Sequence, residues 1–266
     1  SAASGSVSVT ANVAPASLSF TANTLDYTLS SAGGLITAGS LSKTGTALLT
    51  IGGANTYSGG STLSAGRTRV ANDSALGTGT LTLGAAALSS DGATARTLAN
   101  NILLAGNPTL GDATDSGVLT LNGAVDLGGS NRSFTVASAT TFGGVISNGG
   151  LTKLGNATLT LSGANTYTGG TTVSAGTLVL GANNVLADSG AVTLAAGTTL
   201  DATGRTDTLG VLSIDNATVT GGTLSASSVT ITTGTITSVL AGSGGLTKTG
   251  NGTFTFSGSN TFTGVV

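Results

Sequence analysis

A phrase of roughly twenty residues occurs three times in this chain, and it restricts the fold more tightly than any other feature. The first copy reads Leu41-Ser-Lys43-Thr-Gly45-Thr-Ala-Leu-Leu-Thr-Ile51-Gly-Gly-Ala-Asn55-Thr-Tyr57-Ser-Gly59-Gly60. The second reads Leu151-Thr-Lys153-Leu-Gly155-Asn-Ala-Thr-Leu-Thr-Leu161-Ser-Gly-Ala-Asn165-Thr-Tyr167-Thr-Gly169-Gly170. The third reads Leu246-Thr-Lys248-Thr-Gly250-Asn-Gly-Thr-Phe-Thr-Phe256-Ser-Gly-Ser-Asn260-Thr-Phe262-Thr-Gly264. The first two share a continuation, Ser64-Ala65-Gly66 matching Ser174-Ala175-Gly176 and Ala71-Asn72 matching Ala182-Asn183. A unit this short cannot bury an apolar face alone. Stacked on its neighbours, it buries a continuous one.

Within and between the copies the local signal is strand. Apolar residues alternate with Thr or Ser at Val7/Val9, Leu25/Tyr27/Leu29, Leu49/Ile51, Leu119/Leu121, Leu178/Leu180, Val229/Ile231 and Phe254/Phe256. Period two with small hydroxylated residues between fits a strand with one buried face. Gly, Asn and Asp punctuate these runs as turns. Only Arg96 to Leu104 reads as a possible helix. Four small residue types dominate (Gly 44, Thr 50, Ala 36, Ser 32 of 266), as thin cross-sections and tight corners require.

Composition removes several function classes. With no Cys and no His, the usual zinc, haem and iron–sulfur ligands are missing, and so is the commonest general base near neutral pH. Eight dispersed cations against ten aspartates give no footprint for a phosphate backbone, so no nucleic-acid partner is expected. The longest apolar run, Leu83 to Leu88, is far short of the ~20 residues of a membrane-spanning helix. With no signal peptide and no initiator Met, the chain is expected to be a mature, processed or excised product.

The succession Leu-x-Lys-x-Gly, an alternating strand, Gly-Ala-Asn-Thr-Tyr-x-Gly-Gly and Ser-Ala-Gly-Thr-Leu-x-Leu resembles the autotransporter-associated β-strand repeat, also called the passenger-associated transport repeat. Residues 151–180 carry it most cleanly. Residues 41–70 depart where Arg67 and Arg69 replace Thr and Val, and the third copy covers residues 246–264. The resemblance implies a right-handed, single-stranded parallel β-helix secreted to the bacterial surface, and it carries no catalytic motif. At an assumed ~20 to 25 residues per turn, residues 1–266 are expected to form one continuous β-solenoid of about 11 to 13 coils.

Three sets of residues are candidate sites. Lys43, Lys153 and Lys248 are all the lysines, each at one repeat position. They could grip an anionic glycan, but the expected arrangement is structural, outward on the coil with the stem covering the strand below. Asn55, Asn165 and Asn260 precede Tyr57, Tyr167 and Phe262. Sugar recognition is one reading; the expected one is an Asn satisfying backbone groups beside an aromatic plug. The acid pairs Asp112/Asp115 and Asp201/Asp207 could serve a glycosidase, yet no basic partner or aromatic cleft is visible near them. Paired Asp could also hold calcium, but the glycine-rich calcium repeat is absent. The sequons at Asn72, Asn131, Asn156, Asn216 and Asn251 are expected by chance in so Thr-rich a chain. No catalytic residue, metal or cofactor is therefore expected.

The expected function is that of a non-enzymatic structural protein of the bacterial surface, a stalk, passenger or fibre subunit. An adhesin or glycan-binding module is the alternative, and a polysaccharide-degrading enzyme a more distant one. The third copy stops in mid-motif at Thr263-Gly264-Val265-Val266, and Gly5, Val7, Val9, Ala11 and Asn12 align with Gly176, Leu178, Leu180, Ala182 and Asn183. Head-to-tail self-association of Ser1 to Asn12 with Thr263 to Val266 is expected on that alignment, giving an open filament.

Overall fold

A computed structural model of the chain describes residues 4–265. Among these residues every regular element is a strand. The strands pair in parallel and stack as a β-solenoid of about 13 turns. Contacts divide the chain into two compact units, residues 1–128 with 137–141, and residues 129–136 with 142–266.

In the first unit, Leu41 pairs with Ser61, Ser61 with Leu81, Leu81 with Ile102 and Ile102 with Val125. Residues two apart on a strand share a face, so a parallel row forms from Lys43, Leu63, Leu83 and Leu104. A second column stacks Leu49 on Thr68 and Thr68 on Leu88, with Ile51 on Val70. Almost all of these side chains are fully buried. The residues between them face outward, as the alternation predicts.

The second unit obeys the same rule. One row runs Leu151, Thr171, Val192, Leu212, Val229 and Leu246, and its neighbour runs Lys153, Val173, Leu194, Ile214, Ile231 and Lys248. Another runs Leu159, Leu178, Leu200, Val219, Ile236 and Phe256. Phe134 and Phe142 add an edge-to-face contact with centroids 5.1 Å apart. Turns of 20 or 21 residues shorten to 17 between Leu212 and Val229 and again between Val229 and Leu246. Those turns are shorter than the sequence estimate. The double glycine Gly221-Gly222, both left-handed at φ 59° and 64°, lets one such corner close tightly.

The stretch Arg96 to Leu104, the nearest candidate for a helix in a sequence that reads as strand throughout, forms strands as well. Arg96–Leu98 and Ile102–Leu104 are separate strands, paired to Leu119–Leu121 and to Leu81–Leu83. Asn100 turns the corner between them, its Nδ2 donating to the carbonyls of Gly77 and Gly79. Ladder bonds to other turns outweigh a weak local helix preference.

Candidate functional site: the polar residues of the repeat and an ion-paired strap

Lys43 and Lys153 point inward, correcting the outward placement expected from the sequence. Each stands two residues after a buried leucine, on the same face, and neither is more than 2% exposed. The Lys153 ammonium donates to the Gly155 carbonyl at 2.8 Å and to the Ala175 carbonyl of the next turn at 2.7 Å. Lys43 repeats this with Gly45 and Ala65. Burial pushes the Lys153 amine down to about 8. It lowers Lys43 as well, where Asp26 partly opposes the shift. Lys248 is different. It bonds its own corner, at the carbonyls of Thr249 and Gly250, and is only half-buried. In the first two copies the second acceptor comes 22 residues later, a position beyond residue 266 for the third.

The asparagines are clamps across turns, as the structural reading of the sequence expected. Asn55 Oδ1 accepts from the Ile36 amide of the preceding turn at 3.1 Å, and its Nδ2 donates to Ala75 O of the following turn at 2.9 Å. Asn165 does the same with the Ile146 amide at 2.7 Å and Val185 O at 2.6 Å. Asn260 keeps the backward bond, from the Leu240 amide, but its Nδ2 turns to Gly258 O. Tyr57 and Tyr167 are plugs, 0% and 1% exposed. Their hydroxyls meet Ser61 Oγ at 2.8 Å and Thr171 Oγ1 at 2.5 Å. Burial pushes both phenols up to about 12. An open groove of about 390 Å³ passes Thr166, Asn184 and Asp188, but the enclosed Tyr167 ring offers it no stacking surface.

The aspartate pairs divide. Asp112 and Asp115 do have a basic partner, which the sequence concealed: Arg67 and Arg69, more than forty residues earlier. Arg67 Nη1 lies 2.7 Å from Asp112 Oδ2 and 3.3 Å from Asp115 Oδ2, and Arg69 Nε lies 2.8 Å from Asp115 Oδ2. The Gly92 amide donates to Asp115 Oδ1 at 3.0 Å. Hydrogen bonds from Thr114, with help from Arg67, hold Asp112 well below the usual carboxylate range. Asp201 and Asp207 do not share partners. Asp201 accepts from the Thr203 amide and Thr220 Oγ1. Asp207 is buried, accepting from the amides of Val185 and Leu186, and burial raises its carboxyl above the ordinary value. Among the described residues no three carboxylates gather as a cation site would require.

The inward lysines and asparagines that bind one turn to the next, and the tyrosine plugs beside them, occupy positions that define the repeated phrase. The passenger-associated-transport-repeat family model matches residues 41–70, 151–180 and 246–266. The repeat and the solenoid together fit a passenger-type domain of an autotransporter. Comparison with curated proteins and with solved structures gave no match.

Proposed function

We propose that this chain is a non-enzymatic structural part of the bacterial surface, a solenoid stalk, passenger or fibre segment. One observation carries the reading. In the first two copies the inward Lys and Asn side chains of the repeated phrase bond to backbone groups of neighbouring turns and the Tyr hydroxyls to a nearby Ser or Thr, so these side chains are engaged in holding the solenoid together. Repetition makes length, ladder bonds make stiffness, and an outer face of Thr and Ser keeps contact with water. The family match supports a surface or secreted location. The test is antibody labelling of intact cells beside a reducing-sugar assay on a panel of polysaccharides. Surface labelling without hydrolysis is expected; release of reducing ends, or label only after lysis, would overturn the reading.

Head-to-tail stacking of Ser1 to Asn12 on Thr263 to Val266 belongs to the same reading, although Ser1 to Ala3 and Val266 lie outside the described residues. The exposed apolar side chains of Val7 and Val265, 50% and 86% accessible, support it. Deleting Ser1 to Asn12 should abolish polymers seen by sedimentation. A wild-type chain that stays monomeric at high concentration would refute this part.

A further inference from the structure

The ion-paired cluster brings four charged side chains together, Arg67, Arg69, Asp112 and Asp115. The second repeat copy holds Thr177 and Val179 where the first holds Arg67 and Arg69, so the cluster is a departure from the repeat itself. Both arginines face outward, and Arg69 stacks directly beside Ser89 on the next turn. The segment 111–117, Gly-Asp-Ala-Thr-Asp-Ser-Gly, lies over them as a strap. It contributes no large apolar side chain, and Ala113, Thr114 and Ser116 are exposed. Two strap carboxylates engage the arginines: Asp112 Oδ2 takes Arg67 at 2.7 Å, while the buried Asp115 spans the site, its Oδ2 receiving both guanidinium groups and its Oδ1 the Gly92 amide. Ser90 Oγ donates to the carbonyls of Asp115 and Gly117. Beneath the strap, Ser89 Oγ is fully buried and has no hydrogen-bond partner.

We propose that Arg67, Arg69 and the Gly92 amide form a receptor for the carboxylate of an acidic glycan, filled in this structure by the chain's own Asp115. The donor set matches a carboxylate, with a charged pair for one oxygen and an amide for the other. The flanking rungs suit a polyhydroxylated chain, because the outward column through Arg69 continues as Thr50 and Thr28 on one side and Ser89 on the other. Lifting the strap frees both arginines and supplies Ser89 Oγ with a partner. The strap is held by ion pairs and hydrogen bonds with no large apolar side chain of its own, so opening it trades polar contacts for those of the incoming carboxylate and of water. Because the receptor is open only part of the time, the wild-type chain binds weakly, in proportion to its open fraction.

The probe is polygalacturonate, immobilised, with dextran and dextran sulfate as neutral and sulfated controls. Asp115→Asn, which keeps the shape but weakens the internal occupant, should raise retention on polygalacturonate about tenfold over wild type. Adding Arg67→Gln and Arg69→Gln should return it to baseline, with no retention on dextran in any variant. A folded Asp115→Asn chain with no gain overturns the proposal. So does a gain that survives loss of the arginines, or one confined to dextran sulfate. Should Asp115→Asn fail to fold, amide exchange of residues 111–117 in the wild-type chain decides. Exchange must quicken when galacturonate oligomers are added, and unchanged exchange refutes the site. Failure leaves the structural reading above untouched, since that rests on the repeat residues.

Discussion

Lys153 shows how far a single position departs from the usual placement of a charge. Its ammonium is enclosed beside an aliphatic row, with two carbonyls and no carboxylate for company. Because its folded value, about 8, lies below the ordinary ~10.4, the folded chain binds fewer protons than the unfolded chain between them. Stability should therefore rise with pH across that window, by on the order of 2 to 3 kcal/mol. Urea unfolding of wild type at pH 8 and pH 10 should show the rise, and Lys153→Met should flatten it. Asp207 has the opposite sense. Its raised folded value means that its contribution is full near pH 4 and is lost as pH climbs through that value. Tyr167 and Asp188 act in the same neighbourhood, Asp188 pushing Asp207 further up. The melting temperature should rise on acidification from neutrality toward about pH 4, and Asp207→Asn should reduce that gain. The inward lysine was legible, since Leu-x-Lys puts both residues on one strand face. Charge argued against it, and the sequence does not reveal that two backbone carbonyls wait in the interior.

At the scale of the element, strands and corners follow from alternation and glycine placement, and both were readable. Gly176 closes the Ser-Ala-Gly corner at φ 67°, and a Cβ there would lie 2.6 Å from Asn156 O. Gly176→Ala should therefore cost more than about 1 kcal/mol in chemical denaturation, since both backbone and space oppose it. The strap was half readable. Gly111-Asp-Ala-Thr-Asp-Ser-Gly117 has the composition of a loop, and it is one. Its partners were hidden because Arg69 and Asp115 stand 46 residues apart, brought together only by the pitch of the solenoid. The one available sign was the replacement of Thr and Val by two arginines in the first copy. The weak helical pattern over Arg96 to Leu104 has the complementary explanation, a local preference overruled by pairing with turns on either side.

For the whole molecule, the repeated phrase carried most of the information. It specified parallel stacking, and the turn count near 13 falls at the upper end of the expected range. The shortened turns from Leu212 onward were not legible, because degenerate copies carry no punctuation at a fixed spacing. Nor does the uniform style of the sequence hint that contacts divide it into two compact units. Each unit contains one fully enclosed repeat copy, and in each an asparagine joins three successive turns. That clamp is the central claim, and Asn165→Ala tests it directly. Removing the side chain leaves the Ile146 amide and the Val185 carbonyl without their partner in a buried setting. Equilibrium denaturation should show a loss of about 2 to 4 kcal/mol, with retention on polygalacturonate unchanged. A loss below about 0.5 kcal/mol, accompanied by a change in glycan retention, would contradict the account.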